Sequence, residues 1–243
     1  MHITHIPETM RTPDAAEEAT DSERLTLVIA EVRTEAEDII SIVLRDPADR
    51  PLPGWDPGSH IDVVLPSGRS RPYSLCGPVN RPAEYMIAVL RDPNGRGGSR
   101  ELCEIAEPGR TLTVSRPRNG FRFDEADDYL FLAGGIGITP IVPMIEAAEA
   151  RGASWKLVYA GRSRARMAFL DRLSRYPAER IDLYPEDERG IPPFDEILRH
   201  ASPETLVYAC GPTGMLTTVS ERFALHSPAA SLRMEKFAVS AQG

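Results

Sequence analysis

Apolar residues in the first part of the chain form short runs rich in β-branched side chains. These runs occupy residues 25–32, 39–44, 60–65, 85–90 and 111–115, and Pro and Gly clusters separate them. Short runs with this punctuation are typical of an antiparallel barrel or sandwich. A glycine-rich loop interrupts the series before residues 98–105, which we predict to form a helix.

From residue 129 the pattern changes to buried runs that alternate with helical stretches. The runs are YLFLAG, WKLVYAG, RIDLY, TLVYACG and SLRMEKF. This alternation predicts a parallel sheet with helices on both faces. Pro, Asn, Gly and charged residues accumulate at 116–128 and mark a boundary. We therefore expect a disordered arm at 1–23, a β domain at 24–122 and an α/β domain at 123–243.

Composition and charge narrow the classes of partner. With 243 residues, 42% of them hydrophobic, the chain is large enough for two domains. Its formal net charge of -8 argues against nucleic acid or a membrane surface as partner. No run approaches the roughly 20 apolar residues that cross a bilayer, and the polar start is unlike a signal peptide. We expect a cytoplasmic protein.

The cysteine content excludes several kinds of site. Only Cys76, Cys103 and Cys210 are present, far apart and without a C-x-x-C pair. A disulfide scaffold or a metal site is therefore not predicted. A plant-type iron-sulfur cluster needs four thiolates, and this sequence does not contain them, so we expect no cluster in this chain.

Two motifs in the β region carry candidate chemistry. In RPYSLC, alternation along a strand places Arg71 and Tyr73 on one face and Ser74 on the other; a cation, a ring and a small donor suit a phosphorylated aromatic ligand. In RDPNGRGGSREL, glycines lead into a helix whose N-terminus attracts phosphate, with Arg96 and Ser99 as added donors. The alternatives are an ordinary barrel strand and a plain tight turn.

Two further motifs follow strands of the α/β region. LFLAGGIGITP ends a strand in Gly134, Gly135 and Gly137, with a helix expected from about Pro140; small residues there let a dinucleotide approach. YACGPTGML repeats the arrangement. Both turns would line one crevice at the carboxyl edge of the sheet. Cys210 either points into it or is a core cysteine.

Taken in order, RPYSL, GRGGS, GGIGITP and CGPTGM resemble the ferredoxin-NADP reductase superfamily, most closely phthalate dioxygenase reductase and vanillate demethylase reductases. The resemblance covers about residues 24–237. It implies a six-stranded antiparallel flavin-binding barrel followed by a parallel-sheet nicotinamide-binding domain. Loop GRGGS would hold the terminal phosphate, which favours FMN over FAD.

The resemblance also implies a role for each matching residue. Those expected at the flavin are Arg71, Pro72, Tyr73, Ser74, Ala88, Val89, Leu90, Gly95, Arg96, Gly97, Gly98, Ser99, Thr139 and Phe237. Those expected at the nicotinamide dinucleotide are Gly134, Gly135, Ile136, Gly137, Ile138, Thr139, Pro140, Gly161, Arg162, Cys210, Gly211, Pro212 and Met215. Those expected to act in catalysis are Ser74, Cys210, Glu235 and Phe237, with Phe237 covering the flavin.

The implied activity is that of an NAD(P)H-dependent flavoprotein reductase, the reductase component of an oxygenase or demethylase system. NADH is expected, although Arg162, Arg164 and Arg166 could pair with the 2′-phosphate of NADPH. Phthalate dioxygenase reductases continue into a ferredoxin domain, whereas this sequence stops at FAVSAQG. Electrons would pass either to a separate iron-sulfur or oxygenase partner or to a domain that has been removed. The alternatives are a reductase or oxidase using free flavin or oxygen, and a non-enzymatic electron-relay subunit.

Overall fold

The computed structural model describes residues 24–79, 81, 83–227 and 229–237. The arm expected at 1–23 lies outside these residues. Within them, no helix is both long and apolar enough to cross a membrane.

The first part of the chain forms one antiparallel sheet. Its strands are β1 (Arg24–Ala36), β2 (Ile39–Arg45), β3 (Ser59–Val64), β4 (Ser70–Ser74), β5 (Glu84–Leu90), β6 (Thr111–Ser115) and β7 (Arg118–Asn119). The order is β4-β3-β6-β1-β2-β5, with β7 paired to β3. A bridge between Leu75 and Ile87 joins the two ends of this order, so the sheet closes into a barrel. This confirms the barrel expected from the family resemblance.

In the barrel region, the helix agrees with the sequence prediction, whereas strand β7 was not predicted. Helix α1 spans Gly98–Ile105, the range predicted from the sequence. Strand β7 lies inside residues 116–128, where we predicted the domain boundary, and it pairs Ser59 with Asn119 and His60 with Arg118. A strand of two residues is too short to produce an alternating sequence pattern, so it was not predicted.

The second part forms a parallel sheet, as predicted. Its strands are β8 (Asp128–Gly134), β9 (Ser154–Gly161), β10 (Ile181–Pro185), β11 (Leu206–Gly211) and β12 (Ser231–Lys236), and its helices are α2 (Ile138–Ala150), α3 (Leu170–Leu173), α4 (Glu186–Arg189), α5 (Phe194–Arg199) and α6 (Thr213–His226). The strand order is β10-β9-β8-β11-β12. The chain order reverses across β8 and β11, the position where doubly wound sheets open a crevice.

The two sheets share part of their hydrophobic core. One apolar cluster fills the barrel, and a second covers one face of the parallel sheet. A third covers its other face and takes in Ile39, Cys76 and Ala88 from the barrel strands and loops. The barrel therefore packs directly on the parallel sheet. The boundary at residues 122 and 123 stays a prediction, and the chain passes from one sheet to the other between Asn119 and Asp128.

Candidate functional site

The glycine-rich loop delivers the chain to the N-terminus of α1. Gly97, the N-cap residue, has a φ of 88° and no side-chain cap among the described residues. Glycine adopts this left-handed conformation without the strain that a Cβ would cause. The uncapped N–H groups of the first turn carry partial positive charge and suit an anion.

Arginine side chains surround this helix end. A Cβ on Gly98 would lie 2.8 Å from Nε of Arg71 and 3.0 Å from its Cγ, so Arg71 lies directly against the helix start. At Gly97, the corresponding Cβ position is 3.6 Å from Nη1 of Arg69 and 3.8 Å from Nη2 of Arg100. Sequence reasoning missed Arg69 and Arg100. The triplet RSR, residues 69–71, could have pointed to Arg69. Three guanidinium groups at a helix N-terminus suit phosphate.

The loop is closed by its own hydrogen bonds. Oγ of Ser99 accepts the N–H of Asp92 at 3.2 Å, and Oδ1 of Asp92 accepts the N–H of Asn94 at 2.9 Å. A Cβ on Gly95 would come within 3.0 Å of the Asp92 carboxylate. The side chain of Arg96 is exposed. The turn is therefore shaped before any ligand binds, which lowers the entropy lost on binding.

Strand β4 carries the predicted aromatic and hydroxyl side chains at successive positions, on its two opposite faces. Tyr73 is partly buried against the barrel core, and burial raises the pKa of its phenol well above the usual range. It therefore stays neutral. Ser74 is 5% exposed, and Pro72 between Arg71 and Tyr73 is exposed.

Strand β5 divides its three predicted residues between its two faces. Ala88 and Leu90 join the apolar cluster shared with the parallel sheet. Val89 belongs to the cluster inside the barrel. Successive side chains of a strand point to opposite faces, so the side chain of Val89 faces away from the other two, and only its backbone can lie alongside a ligand on their side.

Two glycine-rich turns pack on each other at the carboxyl edge of the parallel sheet. A Cβ on Gly137 would lie 2.2 Å from the carbonyl oxygen of Cys210, and one on Gly134 would lie 2.5 Å from Sδ of Met215. A Cβ on Gly211 would lie 3.1 Å from the backbone of Gly134, which is a tight contact. Gly134 and Gly137 are required by contacts between the turns, and this requirement was not part of the sequence reasoning.

Gly135 differs from the other glycines of this turn. Its φ is 53°, and a Cβ on it would meet nothing within 4 Å, so it borders open space where a dinucleotide could lie. Residues Gly135–Gly137 form a 3-10 turn and α2 begins at Ile138, two residues before the start near Pro140 that we predicted. The partly buried Ile136 and the fully buried Ile138 anchor this turn.

Thr139 is held within the protein. It is 2% exposed, and its hydroxyl donates to the carbonyl of Ile136 at 2.9 Å. The bond fastens the first turn of α2 to the glycine turn. Contact between Thr139 and the two ligands stays a prediction.

Cys210 and Glu235 lie side by side on paired strands β11 and β12. Sγ of Cys210 is 4.0 Å from Oε2 of Glu235. Burial raises the pKa of the thiol well above its usual value, the nearby Glu235 carboxylate adding to this effect, and burial raises the pKa of Glu235 to about 7. Phe237, the last described residue, packs on the apolar cluster that contains Cys210. Pro212, which precedes α6, is exposed.

The loop after β9 carries the three arginines that were considered for a 2′-phosphate. Arg164 pairs with Glu188 at 3.1 Å, and Arg166 pairs with Glu37 at 3.1 Å and with Asp38 at 2.9 Å. Arg162 is exposed. Gly161 ends β9, where a Cβ would press on Met167.

The barrel and the parallel sheet bring these parts to one interface. The 3-10 turn at Gly135–Gly137 contacts strand β5, and Ile136, Ala88 and Cys210 belong to one apolar cluster. A ligand along the outer face of β5 would therefore lie near the crevice of the glycine turns. Such an arrangement could bring two aromatic ligands next to each other.

Comparisons with known proteins agree with this geometry. Residues 131–221 match the oxidoreductase NAD-binding domain family. Phthalate dioxygenase reductase from Burkholderia cepacia is 36% identical over 219 residues, which are 88% of this chain and 67% of that protein. Vanillate O-demethylase oxidoreductase from Pseudomonas putida is 39% identical over 198 residues, 80% of this chain and 62% of that protein.

A solved structure shows the same fold. Phthalate dioxygenase reductase, described as a modular structure for electron transfer from pyridine nucleotides to [2Fe-2S], superposes with a TM-score of 0.85 at 34% identity, covering 91% of this chain and 70% of that one. The chain spans about two thirds of the length of the curated relatives named here.

The barrel packed on a parallel sheet, the match to the NAD-binding family and the reductase relatives together define the class as an NAD(P)H-dependent flavoprotein oxidoreductase. The chain belongs to the phthalate dioxygenase reductase family within the ferredoxin-NADP reductase superfamily.

Proposed function

We propose that this protein oxidises NADH, holds FMN, and passes electrons singly to an iron-sulfur protein or oxygenase component. The observation that carries this proposal is the contact of the glycine turn Gly135–Gly137 with strand β5, because it sets the dinucleotide crevice against the barrel face expected to bind flavin. The proposed domains are 24–122 for flavin and 123–243 for the nicotinamide dinucleotide.

The choice of FMN rests on the N-terminus of α1. Uncapped N–H groups there are accompanied by Arg69, Arg71 and Arg100, and several charge-assisted donors at one point suit a phosphate with two negative charges. A flavin that ends in a monophosphate satisfies these donors directly. Arg71 would provide the direct contact, with Tyr73 against the ring system and Ser74 near its reactive nitrogen.

The residues of this chain would orient the ligands and exclude water. A bound flavin supplies the redox chemistry, accepting hydride and releasing electrons one at a time. Hydride transfer depends on placing the reacting atoms about 3 to 3.5 Å apart. Cys210, a neutral thiol, and Gly211 would border the nicotinamide, while Glu235 holds or releases a proton near neutral pH. Phe237 would move aside to admit the nicotinamide.

The choice of NADH is supported by the ion pairs of the loop after β9. Two of its three arginines, Arg164 and Arg166, are already paired with carboxylates. Glu186, Asp187 and Glu188 follow directly after β10, beside this loop. Acidic groups repel the 2′-phosphate of NADPH, so the loop favours the nucleotide that lacks it.

The acceptor is proposed from the family and from the cysteine content. The related phthalate dioxygenase reductase transfers electrons to [2Fe-2S], and such a cluster needs four thiolates, whereas this sequence contains three cysteines in all. The acceptor cluster would therefore be held by residues outside this sequence.

One set of measurements tests the proposal. The purified protein is denatured, its released flavin is identified by chromatography, and the intact protein is titrated anaerobically with NADH and with NADPH. We expect one FMN per chain, and reduction of it by NADH at lower concentration than by NADPH. The protein should reduce ferricyanide rapidly and cytochrome c slowly until an iron-sulfur protein is added. Stoichiometric FAD, or equally fast cytochrome c reduction without that partner, would contradict the proposal.

A further inference from the structure

Arg172 on α3 makes polar contacts to both parts of the molecule. Its Nε donates to Oε1 of Glu146 at 2.8 Å, and Nη2 lies 2.7 Å from the same oxygen. Its Nη1 donates to the backbone carbonyl of Cys76. Cys76 belongs to the barrel part, whereas Glu146 is on α2 beside the parallel sheet.

Both partners of Arg172 belong to elements that carry a proposed ligand site. Cys76 comes two residues after Ser74 in the strip that would contact the flavin. Glu146 lies on α2, the helix that begins at the glycine turn of the dinucleotide crevice. The arginine therefore bridges the two segments whose relative position decides how nicotinamide meets flavin.

The contacts of Arg172 are largely shielded from solvent, and the helix that carries them is held by packing. The side chains of Arg172 and Glu146 are 15% and 30% exposed, so water competes little for their bonds. Helix α3 follows Phe169, a buried residue with a left-handed φ of 64°. Non-glycine residues keep this strained conformation only where surrounding packing enforces it. The direction of α3 toward Cys76 is therefore set by the packing around Phe169.

We propose that Arg172 is a positioning residue, which fixes the end of the flavin-binding strand relative to the nicotinamide crevice by joining Glu146 to the Cys76 carbonyl. This inference rests on the proposed function. It predicts that loss of the bridge slows flavin reduction and leaves both ligands bound, because a displacement of about 1 Å can cost roughly a hundredfold in rate.

The test compares Arg172→Met with Arg180→Met. Arg180 is a matched control. It pairs with Glu149 at 2.7 Å, and Glu149 lies on α2 like Glu146. Its other contact, Trp155, belongs to the parallel sheet, so Arg180 contacts only this part of the molecule in these interactions. Stopped-flow reduction at saturating NADH gives the rate constant, and its concentration dependence gives the nucleotide Kd. Long-wavelength charge-transfer absorbance reports nicotinamide stacked on flavin, and hydrogen exchange of flavin-free protein reports the firmness of residues 75–79.

We expect Arg172→Met to keep its flavin and a nucleotide Kd within about twofold of the original, and to lose at least about tenfold in the reduction rate constant. Charge-transfer absorbance should fall and exchange at 75–79 should accelerate, with neither change in Arg180→Met. Arg172→Lys, which keeps the charge and loses the forked geometry, should fall between the two.

Unchanged reduction and unchanged exchange in Arg172→Met would overturn the proposal, as would equal slowing in Arg180→Met. If Arg172→Met does not fold, Glu146→Met, which leaves no acceptor for the guanidinium, replaces it, and reduction at the original rate in that variant counts against the bridge. Failure of the proposed function is a separate result, since the unmodified protein would then not be reduced by either nucleotide, and the exchange measurement would still decide whether Arg172 holds residues 75–79.

Discussion

Replacing Glu235 by Gln should change how the stability of the protein depends on pH. Burial raises the pKa of this carboxyl from its ordinary 4.5 to about 7 in the folded protein. Between these values the folded state binds a proton that the unfolded state has released. The free energy of unfolding therefore falls as pH rises through this window.

The size of the effect follows from the shift. The difference between 4.5 and about 7 corresponds to roughly 3.5 kcal/mol as an upper value, since each pKa unit is about 1.4 kcal/mol. Near pH 4 the contribution of Glu235 is fully present, and above pH 8 it is lost. Gln cannot titrate, so Glu235→Gln should gain up to this amount relative to the original protein as pH rises from 4 to 8.

Urea unfolding of both proteins at matched flavin content, at pH 4 and pH 8, measures the change. The quantity compared is the difference in the free energy of unfolding between the variant and the original protein at the two pH values. A cost of burying the Gln amide that does not depend on pH therefore cancels. Glu221→Gln, on an exposed position of α6, is the control for the loss of one carboxylate. If the difference between Glu235→Gln and the original protein is the same at both pH values, the raised pKa is wrong.

Three further predictions follow from contacts in the site. Arg71→Ala should weaken flavin binding about tenfold to a hundredfold by removing a charge-assisted contact, which equilibrium dialysis of FMN would measure; unchanged binding would contradict its role. Gly137→Ala should destabilise the fold by about 3 kcal/mol or more, because its Cβ would meet the next turn's backbone at 2.2 Å, whereas Gly135→Ala should cost only about 1 to 2 kcal/mol of left-handed strain; similar melting temperatures would refute the packing argument. Glu188→Gln should free Arg164 and raise the kcat/KM for NADPH relative to NADH by about two- to fivefold, the worth of an exposed ion pair; an unchanged ratio would remove this pair from the account of nucleotide choice.

Local pattern was enough to predict most of the secondary structure. Helix α1 has the predicted bounds Gly98–Ile105 because a glycine loop and a short apolar stripe mark both of its ends. The parallel strands were evident as short apolar runs that alternate with helical stretches. The start of α2 was misplaced because Pro140 suits several positions of a first turn, and the sequence does not show that Gly135–Gly137 already turn as a 3-10 helix.

The roles of individual site residues were harder to predict because they depend on packing between distant segments. Gly134 and Gly137 were assigned to ligand approach, yet the structure shows that they are needed where two turns touch. Val89 was grouped with Ala88, although alternation along a strand already implied opposite faces. Arg172 left no signal, since its contact with Cys76 joins residues 96 positions apart.

The sequence motifs determine local backbone shape, whereas the contacts between the barrel and the parallel sheet determine how the two proposed ligand sites face each other. A motif such as GGIGITP specifies a local backbone shape and, through Gly134 and Gly137, the contact with the neighbouring turn. Hydride transfer depends in addition on how two such shapes face each other, which is set by Arg172, by the Arg166 pairs with Glu37 and Asp38, and by the shared apolar cluster. Because these contacts are polar as well as apolar, small changes in them can alter the rate of the reaction while every binding motif stays intact. Variation among related reductases in reaction rate should therefore be sought at this interface before it is sought in the motifs.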